Sequence, residues 1–299
     1  MVTSPAPTSA VTLLLNFRDA DVKFDVSTLM DILRDRRHEG WVLAAYPDPK
    51  TRRPLIGAGF SLDLPERDHP QRDPLNPHPF LEPSSAELWQ AAGLAPERLQ
   101  DILTQFDERA ASWSARKFRK EIKSLEPEIT DDEAAQLLRV AAIQAIENAR
   151  AYCRNFDQLT GSQQMALSQL VYQMGVNLEE FSEFLTLINA DSTATIADAA
   201  PELAATADSG TEYWHTVQQS LMHSQWARLY RTRAVAVIAM LDPAYDDNPA
   251  AAERRVRATL RPAVLHRRGR RSASRELVSG ARATRAARKR ASRTRKQAA

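Results

Sequence analysis

Two carboxylic acids nine positions apart, Glu39 and Asp48, sit in surroundings that suit acid/base chemistry. Glu39 ends the first regular helix that the apolar spacing predicts. That helix starts at Ser27 as N-cap, runs through Leu29, Ile32, Leu33 and Arg36, and stops at Gly40. The negative end of a helix dipole disfavours an ionised carboxyl, and Trp41, Val42 and Leu43 follow as an apolar wall. Both effects favour a retained proton on Glu39. Asp48 falls in Pro47-Asp48-Pro49, which must turn, and is expected to stay charged in contact with solvent. One protonated and one ionised carboxyl are what the cleavage of a glycosidic bond requires: a donor to the leaving oxygen, and a partner that orients water or attacks the sugar. With 38 acidic residues in the chain, a solvated surface pair is the plain alternative on spacing alone.

The elements around this pair divide the chain. PLIGAGF (54–60) reads as a short strand with close-packed glycines. Pro65, Pro70, Pro74, Pro77, Pro79 and Pro83 make the next stretch a long irregular loop. From Ser84 onward the pattern is helical. Ser84 with Glu87, and Thr130 with Glu133, have capping-box spacing. Further helices are predicted from near Ser162 to Gly175, and at about 178–190, 211–223 and 231–241. The expected fold is mainly α, of an α+β kind. It has a small N-terminal lobe with a short β-hairpin, a larger helical lobe, and a cleft between them. The expected divisions are a loose arm over 1–24 with at most one short strand, a body over 25–260, and a basic, disordered tail over 261–299.

The segment HEGWVLAAYPDPKTRRPLIGAGF (38–60) resembles the active-site segment of the phage-type, T-even lysozyme and endolysin family of glycoside hydrolases. The matching residues are Glu39, Gly40, Tyr46, Asp48, Ile56, Gly57 and Gly59. ALSQLVYQMGVNLEEFSEFLTLI (166–188) is similar to that family's central buried helix and the one after it, with Gln173, Met174, Gly175 and Phe181 as the specific points. SQWARLYRTRAVAVIAML (224–241) resembles the segment with a Trp and, seven residues on, an Arg: here Trp226 and Arg233. EITDDEAAQLL (128–138) resembles the start of the interlobe helix. The likeness covers about 27–60 and 128–245, in order. It implies a muramidase acting on the β-1,4 bond between N-acetylmuramic acid and N-acetylglucosamine. Glu39 would be the acid, Asp48 the second carboxylate, and Gln173, Trp226 and Arg233 the substrate-binding residues, with Arg233 beside Glu39. No metal or organic cofactor is implied. The expected partner is the peptidoglycan strand, and a monomer is expected.

Three departures bear on this expectation. Leu55 stands where the family usually has a Thr whose hydroxyl helps place water, and leucine cannot hydrogen-bond. Thr51 and Ser61 are the nearest hydroxyls that could substitute. Phe60 replaces a His. The insertion 61–127 has no counterpart of this length, and is expected to shape access to the cleft. Its His69, His78, Asp68 and Asp73 match no metal-ligand spacing, and a solvated loop is the simpler reading. These changes keep open an alternative in which the lysozyme fold binds glycan and cleaves it slowly or not at all.

Charge is divided unevenly. Of 40 basic and 38 acidic residues, 17 and two fall in 250–299, leaving 23 and 36 in 1–249. An acidic body therefore carries a cationic tail, suited to anionic envelope polymers or nucleic acid. No aromatics interleave the tail's arginines, so base stacking is not expected. The single cysteine, Cys153, excludes an internal disulfide and reads as a small buried side chain. No apolar run reaches membrane-spanning length, and the first residues lack a basic leader. Synthesis in the cytoplasm, with release to the wall by another agent, is the expectation.

Overall fold

A computed structural model describes residues 9–35, 40–110, 113, 122, 124–190 and 209–260. They are mainly helical, with one three-stranded antiparallel sheet in the order β1-β2-β3. No helix among them is long and apolar enough to cross a membrane.

Side-chain caps place the first helices. Ser9 accepts from the Thr12 amide and starts α1, Ala10–Asn16, where the sequence suggested a loose arm. Asp25, not Ser27, caps α2, Val26–Arg34: its carboxylate accepts from the Ser27 amide at 2.9 Å and from the Ser27 hydroxyl at 2.7 Å. The helix ends at Arg34, short of Gly40, and Asp35 is extended. Residues 36–39, Glu39 among them, lie outside the described residues.

The expected single strand over 54–60 is two strands. β1, Val42–Pro47, pairs with β2, Pro54–Gly57, and β2 with β3, Phe60–Ser61. The break falls at Ala58-Gly59, where Gly59 takes a φ of 86°, a conformation that ends a strand and is open to glycine. Pairing of Tyr46 with Leu55 and Val42 with Gly57 leaves an irregularity that bends β1. The outer edge of β1 is covered. The Glu128 and Ile129 amides donate to Leu43 O, the Ala45 amide donates to Glu128 Oε2 at 2.6 Å, and Arg109 pairs with the same carboxylate.

The insertion does not hang from the fold. Its helices α3, Ser85–Ala91, and α4, Pro96–Ala110, bury Leu88, Trp89, Leu99, Ile102 and Phe106 in one cluster with Leu14, Ile56, Phe60 and Leu62. The capping box of Ser84 and Glu87 opens α3. The long stretch between β3 and α3 is irregular, and it meets much of its backbone bonding through side chains. Asn148 accepts from the Leu81 amide and donates to the Leu81 carbonyl. Asn76 donates to the carbonyls of Arg150 and Ala151, and Gln71 to those of His78 and Ala151.

The 22-residue α5, Asp131–Tyr152, opens with the Thr130/Glu133 capping box and feeds two cores. Leu137, Val140 and Ile143 enter the small-lobe cluster, while Leu138, Ala142, Ile146 and Ala149 enter the helical one. At 1.5 Å per residue it spans about 33 Å. Thr160 and Gln163 cap α6, Gly161–Met174, which starts one residue ahead of the expected Ser162. Gly161 lies against the chain before α2: a Cβ there would stand 2.3 Å from Lys23 O. A 3₁₀ turn, Gly175–Glu180, leads to α7, Ser182–Asn189. The helices α8, Ser209–Met222, α9, Gln225–Leu229, α10, Arg231–Met240, and α11, Pro249–Thr259, complete the helical lobe. The tail 261–299 lies outside the described residues.

Candidate functional site

The β1–β2 turn is built on Asp48. Its Oδ1 accepts from the amides of Lys50 and Thr51, each at 2.6 Å, and its own amide donates to Arg53 O at 2.8 Å. Such charge-assisted bonds fix the orientation of the carboxylate, and Oδ2 takes part in neither. Arg52, next in the turn, has a φ of 67°, a strained position for a residue with a side chain. Lys50 Nζ reaches the Tyr230 hydroxyl at 3.4 Å, so the turn that carries Asp48 meets the junction of α9 and α10.

At that junction stand two residues singled out from the sequence. Trp226 on α9 is buried, and its indole Nε1 donates to Gln173 Oε1 at 3.0 Å. Arg233, in the first turn of α10, is also buried, with its guanidinium 5.9 Å from the centre of the Tyr230 ring. A buried arginine is costly unless its charge is compensated. Tyr172, beside Gln173, donates to Ala58 O at 3.0 Å and ties the end of α6 to the β2–β3 turn. Asp48, Gln173, Trp226 and Arg233 thus belong to one region, linked through Lys50, Tyr230 and Tyr172. The sequence reading missed these three because none stands out by type or spacing. Their positions, within four residues of a residue already singled out, were the available signal.

Glu39 lies outside the described residues. Its neighbour Gly40 donates to Asp35 O at 3.2 Å, and the half-buried Trp41 donates to Asp131 Oδ1 at 2.7 Å. Leu55 is half-buried in β2, paired with Tyr46 on one side and Ser61 on the other. The Ser61 hydroxyl bonds Asp63 at 3.2 Å, and Thr51 Oγ1 accepts from the Arg53 amide at 3.4 Å.

Other candidates have structural work. His69 pairs with Glu179 at 2.8 Å and Asp73 with Arg154 at 3.0 Å, fastening the proline-rich loop to the helical lobe. Among the described residues no group of three or more His, Cys, Asp or Glu is placed to hold a metal ion. Cys153 is buried, which pushes its thiol up to about 12 and leaves it unreactive. Trp89 is fully buried and Trp214 packs on the helical core. Compared with family models, with curated proteins and with solved structures, the chain matches none.

Proposed function

We propose that this chain is a lysozyme-like glycoside hydrolase that cuts the β-1,4 bond between N-acetylmuramic acid and N-acetylglucosamine in peptidoglycan. The observation that carries the reading is the convergence of segments far apart in sequence. The turn holding Asp48 meets Tyr230 between Trp226 and Arg233, and Trp226 bonds Gln173. Asp48, Gln173, Trp226 and Arg233 are four of the five residues that the resemblance assigns to the site; the fifth, Glu39, lies outside the described residues.

In this reading the Glu39 carboxylic acid gives its proton to the glycosidic oxygen as the bond to the anomeric carbon breaks. Asp48, oriented through Oδ1, takes a proton through Oδ2 from the water that attacks that carbon, or stabilises its positive charge. Gln173, held by Trp226, presents its amide to sugar hydroxyls and acetamido groups. Arg233 supplies a buried positive charge that offsets the carboxylate left on Glu39 after proton transfer.

Leu55 favours a second reading, in which the same surface binds glycan without rapid cleavage. Muropeptide release from purified peptidoglycan separates the two. Wild type is expected to release reducing ends, while Glu39→Gln and Asp48→Asn are expected to lose activity by roughly 10²–10⁴-fold, the range of general acid/base contributions. Wild-type protein that sediments with peptidoglycan and releases nothing would select the binding module.

A further inference from the structure

Resting on that reading for the polymer, we infer that the pocket beside Tyr172 is a subsite for a free carboxylate on the peptide substituent of the glycan strand, recognised by Arg67. The pocket of about 200 Å³ opens between Ser61 of β3, Arg67 and Glu82 of the proline-rich loop, Gln144 and Asn148 of α5, and Tyr172 of α6. Tyr172, on the wall of the pocket, directly precedes Gln173 on α6, whose side chain accepts from Trp226. Its size is below the ~300–1,000 Å³ of sites that enclose whole small ligands. It suits a substituent of something bound alongside.

The pocket's charge is mounted rather than incidental. Arg67 and Glu82 form an ion pair at 2.6 Å, and the Arg67 amide donates to Glu82 O at 2.9 Å. The Glu82 side chain is 10% exposed and the Arg67 side chain 44%, so the carboxylate lies beneath and the guanidinium above it. Buried Asn148 reaches Glu82 at 3.4 Å and bonds both backbone groups of Leu81, which fixes the loop that carries the pair. A guanidinium has five N–H donors in a planar fork, and the bond to Glu82 engages one nitrogen. The rest of the fork suits a carboxylate, which accepts two parallel bonds.

The other walls select for peptide. Gln144 donates through Nε2 to Leu81 O, leaving its amide oxygen to accept a peptide N–H. Phe60 and Val171 supply apolar surface. Sugar hydroxyls need no cation, and a doubly charged phosphate would meet about twice the repulsion from Glu82 that a singly charged carboxylate does. A carboxylate converted to its amide would lose the charge-assisted pair and set an NH₂ against a donor edge. The site therefore separates free from amidated peptide substituents.

The test measures binding of three soluble ligands to the full chain by calorimetry: the GlcNAc–MurNAc disaccharide, the disaccharide carrying a peptide with free carboxylates, and the same with those carboxylates amidated. Wild type is expected to bind the free-carboxylate ligand about tenfold tighter than the other two. Arg67→Ala should erase that preference while leaving disaccharide affinity unchanged, and Arg67→Lys should restore part of it. Equal affinities for the three ligands, no binding of any, or an equal loss for all three in Arg67→Ala would overturn the subsite. Because the readout is binding, it separates the two readings. A preserved preference without release of reducing ends keeps the subsite and sinks the hydrolase. Cleavage indifferent to amidation and to Arg67 sinks the subsite alone.

Discussion

The small-lobe core and the helical core reach the same degree of burial by different means. In the helical core, α6 to α11 satisfy most of their own backbone, and their apolar faces need only to pack. Three of the buried glutamines there bond carbonyls near element ends: Gln163 to Leu241, Gln164 to Phe156, Gln218 to Ile238. The small-lobe core gathers α1, three short strands, α3, α4 and part of α5, and is bounded by a loop with no ladder of its own. That loop is held by amides from α5 and from within itself. Where the backbone is regular, side chains are free to pack. Where it is irregular, side chains must serve the backbone, and a pocket with charged walls results.

The largest test asks whether the two cores are one cooperative unit, as their sharing of α5 implies. Trp89→Ala removes a fully buried ring and its bond to Ala95 O, and is expected to cost about 3–5 kcal/mol. Thermal unfolding should stay a single transition at lower temperature. A helical-lobe transition left at its original midpoint would break the comparison's premise.

A smaller effect sharpens the contrast between loop and helix. Asn148→Ala leaves the Leu81 amide without its partner, a cost of about 1–3 kcal/mol for the one unsatisfied buried group, while Gln144 still donates to the Leu81 carbonyl. It should also open the loop to limited proteolysis. Gln218→Ala removes one bond to Ile238 O and is expected to leave that cleavage pattern unchanged.

The smallest effect concerns the start of α5. The backbone bond at Thr130, and then the Arg98 side chain, hold the Glu133 carboxyl below its ordinary 4.5. Its stabilising contribution is therefore complete above that value and disappears as pH falls through the lowered one. Glu133→Gln should flatten the acid limb of the stability curve measured by urea midpoint. Thr130→Ala should cost about 1 kcal/mol at neutral pH. An acid limb unchanged in Glu133→Gln would show that this cap contributes nothing to the joint between the cores.

What the sequence determined was local. The capping boxes of Ser84/Glu87 and Thr130/Glu133, the irregular proline-rich stretch and most later helices follow from interactions three or four residues apart. Even there, Asp25 and not Ser27 is the cap, because its carboxylate accepts from the Ser27 amide, a geometry that a pattern does not carry. Tertiary structure decided that α3 and α4 build the small-lobe core. It also decided that Trp226 meets Gln173 across 53 positions, that Lys50 meets Tyr230 across 180, and that Arg67 rests on Glu82 above a pocket. Periodicity assigns a side chain to a face. Which face it meets depends on the path of the whole chain, and hydrogen bonds of about 3 Å are set only when that path is complete.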